Sequence, residues 1–198
     1  MCSRYEMKTR PEALKRRFRL RDAPPDLARA EVRPTDPAPI IVHGGNGVRR
    51  ARAAHFGLSV TWDKAPVINA RAETLREKPT FRPLLANRCL VPASAYFEWR
   101  QDGKARRRNR IALAEDELIG FAGLFDADRF VIITCAPAAA IADVHDRMPV
   151  IVPPEAEDAW FDVANDALSA LLAPYAGGIA ATEERPKPSA QGDLFGGG

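Results

Sequence analysis

The chain has 198 residues, of which 46% are hydrophobic, and its formal net charge is +3. This length supports one substantial core but is short for two independent domains. No run of about 18 apolar residues and no signal-peptide pattern occurs, so we predict a cytoplasmic protein without membrane association. Three widely spaced cysteines, without a Cys-x-x-Cys pair, argue against both a disulfide framework and a structural metal site. We expect reduced thiols.

The chain begins with a basic segment. Residues 1–21 contain eight basic and two acidic side chains. Within this segment, Pro11-Glu-Ala-Leu-Lys-Arg-Arg-Phe predicts a short helix, because proline is favoured in a first helical turn and an acid lies beside it. The proline-rich stretch Ala23–Pro39 predicts a loop.

Short β-prone runs then mix with helical patterns, without regular βαβ alternation, which predicts an α+β fold. The predicted strands are Ile40–His43, Leu58–Trp62, Cys89–Trp99, Ile119–Phe125, Phe130–Cys135 and Pro149–Val152. The predicted helical segments are Ala72–Glu77, Ala138–Val144 and Ala156–Leu172. We place one domain over residues 1–180 and a disordered tail over residues 181–198, where Gly, Pro, Ser and charged residues replace apolar periodicity.

A second basic cluster, with lysine or arginine at 104, 106, 107, 108 and 110, follows the aromatic strand. Such clusters also occur as solvated hairpin tips. Two clusters in one chain of modest net charge favour a polyanionic partner.

Cys2 has two nucleophiles once Met1 is removed, which is common before small residues. Its α-amine then titrates at about pH 7.7–8.0 and its thiol at about pH 8.5, so both are partly reactive near neutrality. A 1,2-aminothiol attacks an aldehyde first through nitrogen, giving a Schiff base, and then through sulfur, giving a thiazolidine. The alternative is that Cys2 is only a small buried side chain.

Three apolar segments each contain polar or ionisable groups. Asn69 and Arg71 lie two apart and face the same side if the chain is extended. Glu98 stands between Phe97 and Trp99, where desolvation would raise its pKa toward the range useful for acid–base chemistry. His145 and Arg147 precede a predicted strand and offer proton transfer and phosphate binding. Each residue also has a purely structural interpretation: Asn69 as a helix cap, Glu98 as the ion-pair partner of an arginine, and His145 as a hydrogen-bonded core histidine.

These residues resemble those of the SRAP family, the SOS response-associated peptidases, which include abasic-site shielding proteins. The resemblance runs from Met1 to about Leu172. The matching segments are Met1–Arg4, Gly57-Leu58 with Trp62, Asn69–Thr74, Phe81-Arg82, Arg88–Pro92, Phe97–Trp99, Phe121–Leu124 and His145–Val150.

The resemblance implies a partly barrel-like mixed sheet flanked by helices, and a DNA-repair enzyme that crosslinks covalently to abasic sites in single-stranded DNA. Cys2 would be the nucleophile, Asn69 would orient it and the sugar, Glu98 would act as acid/base, and His145 would assist ring opening and Schiff-base chemistry. Phosphate contacts would come from Arg4, Arg71 and Arg147, and aromatic contacts from Trp62 and Trp99. No metal or organic cofactor is implied, and we expect a monomer.

The tail contains Gln191-Gly-Asp-Leu194-Phe195, which resembles the peptide by which bacterial proteins bind the β sliding clamp. The alternative is an inert tail. Three activities remain open for the domain: covalent capture of abasic sites with accompanying lyase chemistry, peptidase activity through an N-terminal Cys2, and non-catalytic binding of single-stranded DNA. Binding to DNA would place the protein at the nucleoid.

Overall fold

The computed structural model of the protein describes residues 2–44, 47–114, 118–162 and 164–184. In chain order, the strands in these ranges are β1 (Arg4–Met7), β2 (Arg29–Val32), β3 (Pro37–His43), β4 (Arg49–Phe56), β5 (Asn69–Arg71), β6 (Arg88–Ala93), β7 (Ala95–Asp102), β8 (Ala105–Leu113), β9 (Ile119–Asp126), β10 (Arg129–Cys135), β11 (Met148–Pro149) and β12 (Ile179–Glu183). The α-helices of the described chain are α1 (Pro11–Arg17) and α2 (Glu157–Asp162).

Two sheets form the framework. The first is antiparallel, with the strand order β12-β8-β7-β1-β2. In the second, strands β10, β4, β3, β6 and β9 pair in turn, and β9 pairs again with β10, so the ladder closes on itself. Closure removes the exposed edges of these strands. The predicted α+β fold with a partly barrel-like sheet is confirmed.

Aromatic side chains fill the space between the sheets. Tyr5 of β1 packs edge-to-face on Phe56 and Phe121, with ring centroids 5.7 and 6.1 Å apart. Tyr96 of β7 lies opposite Tyr5 in the ladder and also packs on Phe121. All four rings are buried. The residues that follow Cys2 are therefore anchored directly in the core.

The helical part is smaller than the sequence patterns predict. Helix α1 begins at Pro11, as predicted, and its acidic first turn and basic last turn complement the helix dipole. The predicted helices at 72–77 and 138–144 are only short 3₁₀ turns, at Ala72–Thr74 and Ala139–Ile141. The segment 156–172 divides into α2 and a 3₁₀ helix, Asn165–Leu171. In the described residues, no helix has the length and apolar character needed to cross a bilayer.

Two predictions of extended and loop structure are wrong, and one strand was missed. The predicted loop Ala23–Pro39 contains β2 and the start of β3. The predicted strand Leu58–Trp62 contains only one bridging residue, Leu58, paired with Val67. Strand β4 was not predicted, because its sequence is mostly arginine and alanine and contains only one large apolar residue, Phe56. Hairpin pairing with β3 and long-range pairing with β10 hold it in place.

Strand β12 continues the folded chain beyond residue 180. It pairs antiparallel with β8 from Ile179 opposite Leu113 to Glu183 opposite Asn109. The predicted domain boundary at 180 therefore falls inside a strand, because sheet pairing compensates for the weak apolar pattern of this segment. Residues 185–198, with the predicted clamp-binding peptide, lie outside the described residues.

A buried ion-pair network attaches α2 to the barrel. Arg49, at the start of β4, has a side chain only 3% exposed and hydrogen-bonds Glu157, whose side chain is 1% exposed. The same guanidinium bonds the exposed Asp158, and Arg17 of α1 reaches Glu157 at 2.8 Å. Two cations thus compensate one buried carboxylate between α1, α2 and β4.

Candidate active site

The pairing of β1 with β7 places Cys2 beside Glu98. Arg4 lies opposite Phe97 and Tyr5 opposite Tyr96, so the chain that precedes β1 runs toward the Glu98 end of β7. Cys2 is fully buried, and its Sγ lies 3.9 Å from the Arg4 carbonyl oxygen. Burial raises the pKa of the Cys2 thiol well above its usual value, and the charge of Glu98 raises it further. The thiol therefore needs a nearby proton acceptor to react near neutrality.

Glu98 is such an acceptor. Its side chain is almost fully buried, as its place between Phe97 and Trp99 predicts. Burial raises the pKa of the carboxyl, whereas the nearby His145 lowers this pKa by a smaller amount. A carboxyl with a raised pKa can both take and return a proton closer to neutral pH. Both the sign and the cause of this shift agree with the expectation from sequence.

His145 approaches Glu98 from the segment before β11. Its Nε2 lies 3.7 Å from Glu98 Oε2. Its Nδ1 accepts the backbone N–H of Arg147 at 3.0 Å and lies 2.9 Å from Asp146 Oδ1. These two Nδ1 contacts belong to different protonation states, since a nitrogen that accepts the N–H cannot also donate to Asp146. With Nδ1 as acceptor, the neutral ring carries its proton on Nε2, facing Glu98.

Asn69 begins β5, which pairs in parallel with β10. Its Nδ2 donates to the Ile68 carbonyl oxygen at 3.0 Å, while its Oδ1 is buried and accepts no hydrogen bond within the described chain. A buried acceptor without a partner costs roughly 1–3 kcal/mol and is retained where a ligand can satisfy it. The register of β5 with β10 puts Arg71 opposite Thr134, whose carbonyl oxygen binds Arg147. Asn69 and Arg147 therefore both contact β10, at Ile132 and Thr134 respectively.

The predicted DNA-contacting residues form two groups. Arg4 lies 5.5 Å from the centre of the Trp99 ring and pairs with Glu31 at 3.1 Å. Arg147 makes a two-pronged contact with Glu73, at 2.7 and 2.9 Å. Two of the three predicted phosphate-binding arginines therefore already have carboxylate partners.

The remaining two predicted DNA contacts, Arg71 and Trp62, are both exposed. Arg71 lies close enough to Glu73 to help lower the pKa of that carboxyl, after the larger effect of Arg147. Trp62, 66% exposed, lies in the loop between the bridge at Leu58 and β5. An exposed tryptophan of this kind is available for base stacking.

Sequence reasoning missed part of the surface around Trp99. Arg106 and Arg108 of β8 both lie 5.9 Å from the Trp99 ring, and Arg108 also covers Phe97 at 3.8 Å. Both arginines line a groove of about 880 Å³ on the outer face of the first sheet. Glu31 lines the same groove. The basic cluster in the sequence indicated the arginines, but nothing local indicated that Glu31 would pair with Arg4 and Arg108.

In the described part of the chain, no three His, Cys, Asp or Glu side chains are grouped so as to hold a metal ion.

Comparison with known proteins identifies the family of this chain. Residues 1–184 match the family described as SOS response associated peptidase (SRAP). The abasic site processing protein YoqW of Bacillus subtilis is 38% identical, over 73% of this chain and 72% of that protein. The abasic site processing protein YedK of Escherichia coli is 34% identical, over 50% and 49% of the two chains.

Solved structures share the fold. A crystal structure of a Bacteroides thetaiotaomicron protein superposes with a TM-score of 0.82 at 23% identity, covering 93% of this chain and 92% of that one. A Bordetella bronchiseptica protein gives a TM-score of 0.80 at 24% identity, with 93% and 100% coverage. Since the family match covers every described residue, this protein belongs to the SRAP family.

Proposed function

We propose that this protein captures abasic sites in single-stranded DNA as a covalent thiazolidine on Cys2, once Met1 has been removed. The observation that carries the proposal is the grouping of the buried Cys2 with Glu98, which in turn faces His145 at 3.7 Å. The names of the relatives, abasic site processing proteins, support a role at abasic sites. The adduct would shield the lesion from strand cleavage during DNA repair.

The reaction needs two bond-forming steps. The α-amine of Cys2 attacks C1′ of the ring-opened deoxyribose, and loss of water leaves a protonated Schiff base. The thiol then transfers its proton to the Glu98 carboxylate, the sulfur bonds C1′, and the C=N electron pair returns to nitrogen as a neutral amine. His145 holds a proton near Glu98 for opening of the sugar ring. Strand cleavage by β-elimination would start from the same Schiff base, so ring closure competes with lyase activity.

DNA binding would use the two groups around the site. Arg4 and Trp99 would hold a phosphate and a base on one side, and Arg71 and Arg147 would bind phosphate on the other. The exposed Trp62 would stack on a further base. Because Glu31 and Glu73 already pair with Arg4 and Arg147, DNA phosphates must compete with or share these carboxylate contacts. We expect a monomer to suffice, since all of these groups belong to one chain.

The test compares protein from which Met1 has been removed with protein that retains it. Each is mixed with single-stranded DNA containing one abasic site and analysed on a denaturing gel without reductant. A heat-stable shifted band only with the processed protein is the expected result, because retained Met1 converts the Cys2 amine into an amide. Mass spectrometry of the N-terminus confirms processing.

Other outcomes would support the other functions. Intact DNA binding by the processed protein without any band would make it a non-catalytic single-strand binder. Cleavage of added peptides that depends on Cys2 would indicate a peptidase.

We also propose that Gln191, Leu194 and Phe195 bind the bacterial β sliding clamp. The support is the motif itself, which begins eight positions after the end of β12 at Glu183. Deleting residues 191–195 should abolish clamp binding in a surface-binding assay and leave abasic-site capture unchanged. Equal clamp binding by the full and shortened chains would disprove the proposal.

A further inference from the structure

Three arginines surround the indole of Trp99 on the outer face of the first sheet. Arg4 lies 5.5 Å from the ring centre, and Arg106 and Arg108 each lie 5.9 Å from it. Arg108 stands directly opposite Trp99 in the β7–β8 ladder, and Arg106, two residues earlier, points to the same face of β8. Arg4 belongs to β1, the neighbour of β7 on its other side. Trp99 therefore lies between cations from both adjacent strands.

Two of these three arginines already have carboxylate partners. Glu31 pairs with Arg4 at 3.1 Å and also with Arg108. Glu184 pairs with Arg108 as well, at 3.1 Å. Arg106 differs, because its side chain is exposed and forms no ion pair within the part of the chain that the structure describes. Its guanidinium is therefore the one beside the indole whose charge is open to an anionic ligand.

The groove next to these side chains indicates the class of ligand. Arg106 and Arg108 both line it, but Arg108 covers the buried Phe97 ring at 3.8 Å, so this ring is closed to a ligand. Trp99 is only partly buried and remains an accessible aromatic surface. A ligand that contacts both Trp99 and Arg106 needs a flat ring next to a negative charge, which is the chemistry of a nucleotide in a single strand.

We propose that Arg106 binds a phosphate of single-stranded DNA, next to the base that contacts Trp99. The DNA-binding surface would then extend from the candidate active site along β8. Trp99 follows Glu98 directly in β7, so a nucleotide at Trp99 would be a near neighbour of the one captured at Cys2. This inference rests on the proposed capture of abasic DNA and adds a residue of β8 to the predicted phosphate contacts.

The test is Arg106→Ala, with single-stranded DNA that carries a tetrahydrofuran in place of the abasic sugar. This analogue has no aldehyde and forms no adduct, so fluorescence anisotropy measures binding alone. Between about 50 and 200 mM salt, the slope of log affinity against log salt concentration should become shallower by about 0.7, because one phosphate contact is lost. The affinity at the lowest salt should fall about fivefold to tenfold, the contribution of one released counterion.

Arg106→Lys and Arg107→Ala are the matched variants. Lysine keeps the charge and should restore the slope. Arg107 is the next residue on β8 and is also exposed, but its guanidinium is already paired with Asp102 and Glu183. Its replacement by alanine removes the same charge and should leave the affinity within about twofold of wild type and the slope unchanged.

Three results would overturn the inference. The first is an affinity of Arg106→Ala within twofold of wild type. The second is a weaker affinity with an unchanged slope, which would indicate that only the packing on Trp99 was disturbed. The third is an equal loss in Arg107→Ala, which would indicate a general effect of net charge.

The same measurements separate this inference from the proposed function. If the wild-type protein binds the tetrahydrofuran DNA but forms no stable adduct with DNA that contains a true abasic site, covalent capture fails and the salt slopes still decide the role of Arg106. If capture succeeds and Arg106→Ala binds like wild type, only the present inference fails. A wild-type protein that binds no single-stranded DNA would overturn both.

Discussion

Replacing Cys2 by alanine should lower heat-stable attachment to abasic DNA by at least about 100-fold. The variant keeps an α-amine after Met1 removal and can still form a Schiff base, but it lacks the sulfur that closes the ring. Since Cys2 is fully buried and its thiol is neutral while protonated, the loss should not weaken DNA binding. The measurement is the denaturing gel after heating, with binding followed separately by fluorescence anisotropy.

Cys2→Ser is the matched variant, because an oxygen replaces the sulfur in a side chain of similar size. Borohydride should trap the Schiff base with both variants, while neither should give the unreduced, heat-stable band of the wild-type protein. A stable unreduced band with Cys2→Ala would show that another residue forms the adduct, and the assignment of the nucleophile would be lost.

Replacing Arg49 by alanine should lower the free energy of unfolding by about 3–5 kcal/mol. Arg49 and Glu157 are both almost fully buried, so removal of the guanidinium leaves a carboxylate in a low-dielectric environment with only Arg17 as a charged partner. The anchoring of α2 to β4 would weaken at the same time. Urea denaturation followed by circular dichroism measures the loss.

Arg19→Ala is the control for this prediction. Arg19 also pairs with α2, at Asp158, but both side chains are about 60% exposed. An exposed pair of this kind contributes about 1 kcal/mol or less. The joint change Arg49→Met with Glu157→Leu should recover part of the stability lost in Arg49→Ala, because it removes both buried charges. Similar losses for Arg49→Ala and Arg19→Ala would contradict the view that burial gives this pair its importance.

Several features of the candidate site were predictable from local sequence. Strands β6, β7, β9 and β10 lie where apolar β-branched and aromatic residues are concentrated, and α1 begins at the predicted Pro11. The burial of Glu98 and the direction of its pKa shift follow from its aromatic neighbours. The segments that resemble the SRAP family agree with the family match over residues 1–184.

The sequence by itself determined the fold class, the residue types of the site and the family, because these depend on short apolar runs and on residues at definite positions. Tertiary structure decided which distant segments meet. Strands β2, β4 and β12 have weak local patterns, and each pairs with a strand distant in sequence: β1, β10 and β8 respectively. Long-range contacts also direct the chain before β1 toward the Glu98 end of β7 and bring Arg49 to Glu157. No local pattern contains these contacts, since each depends on the relative position of strands and helices that only the closed barrel defines.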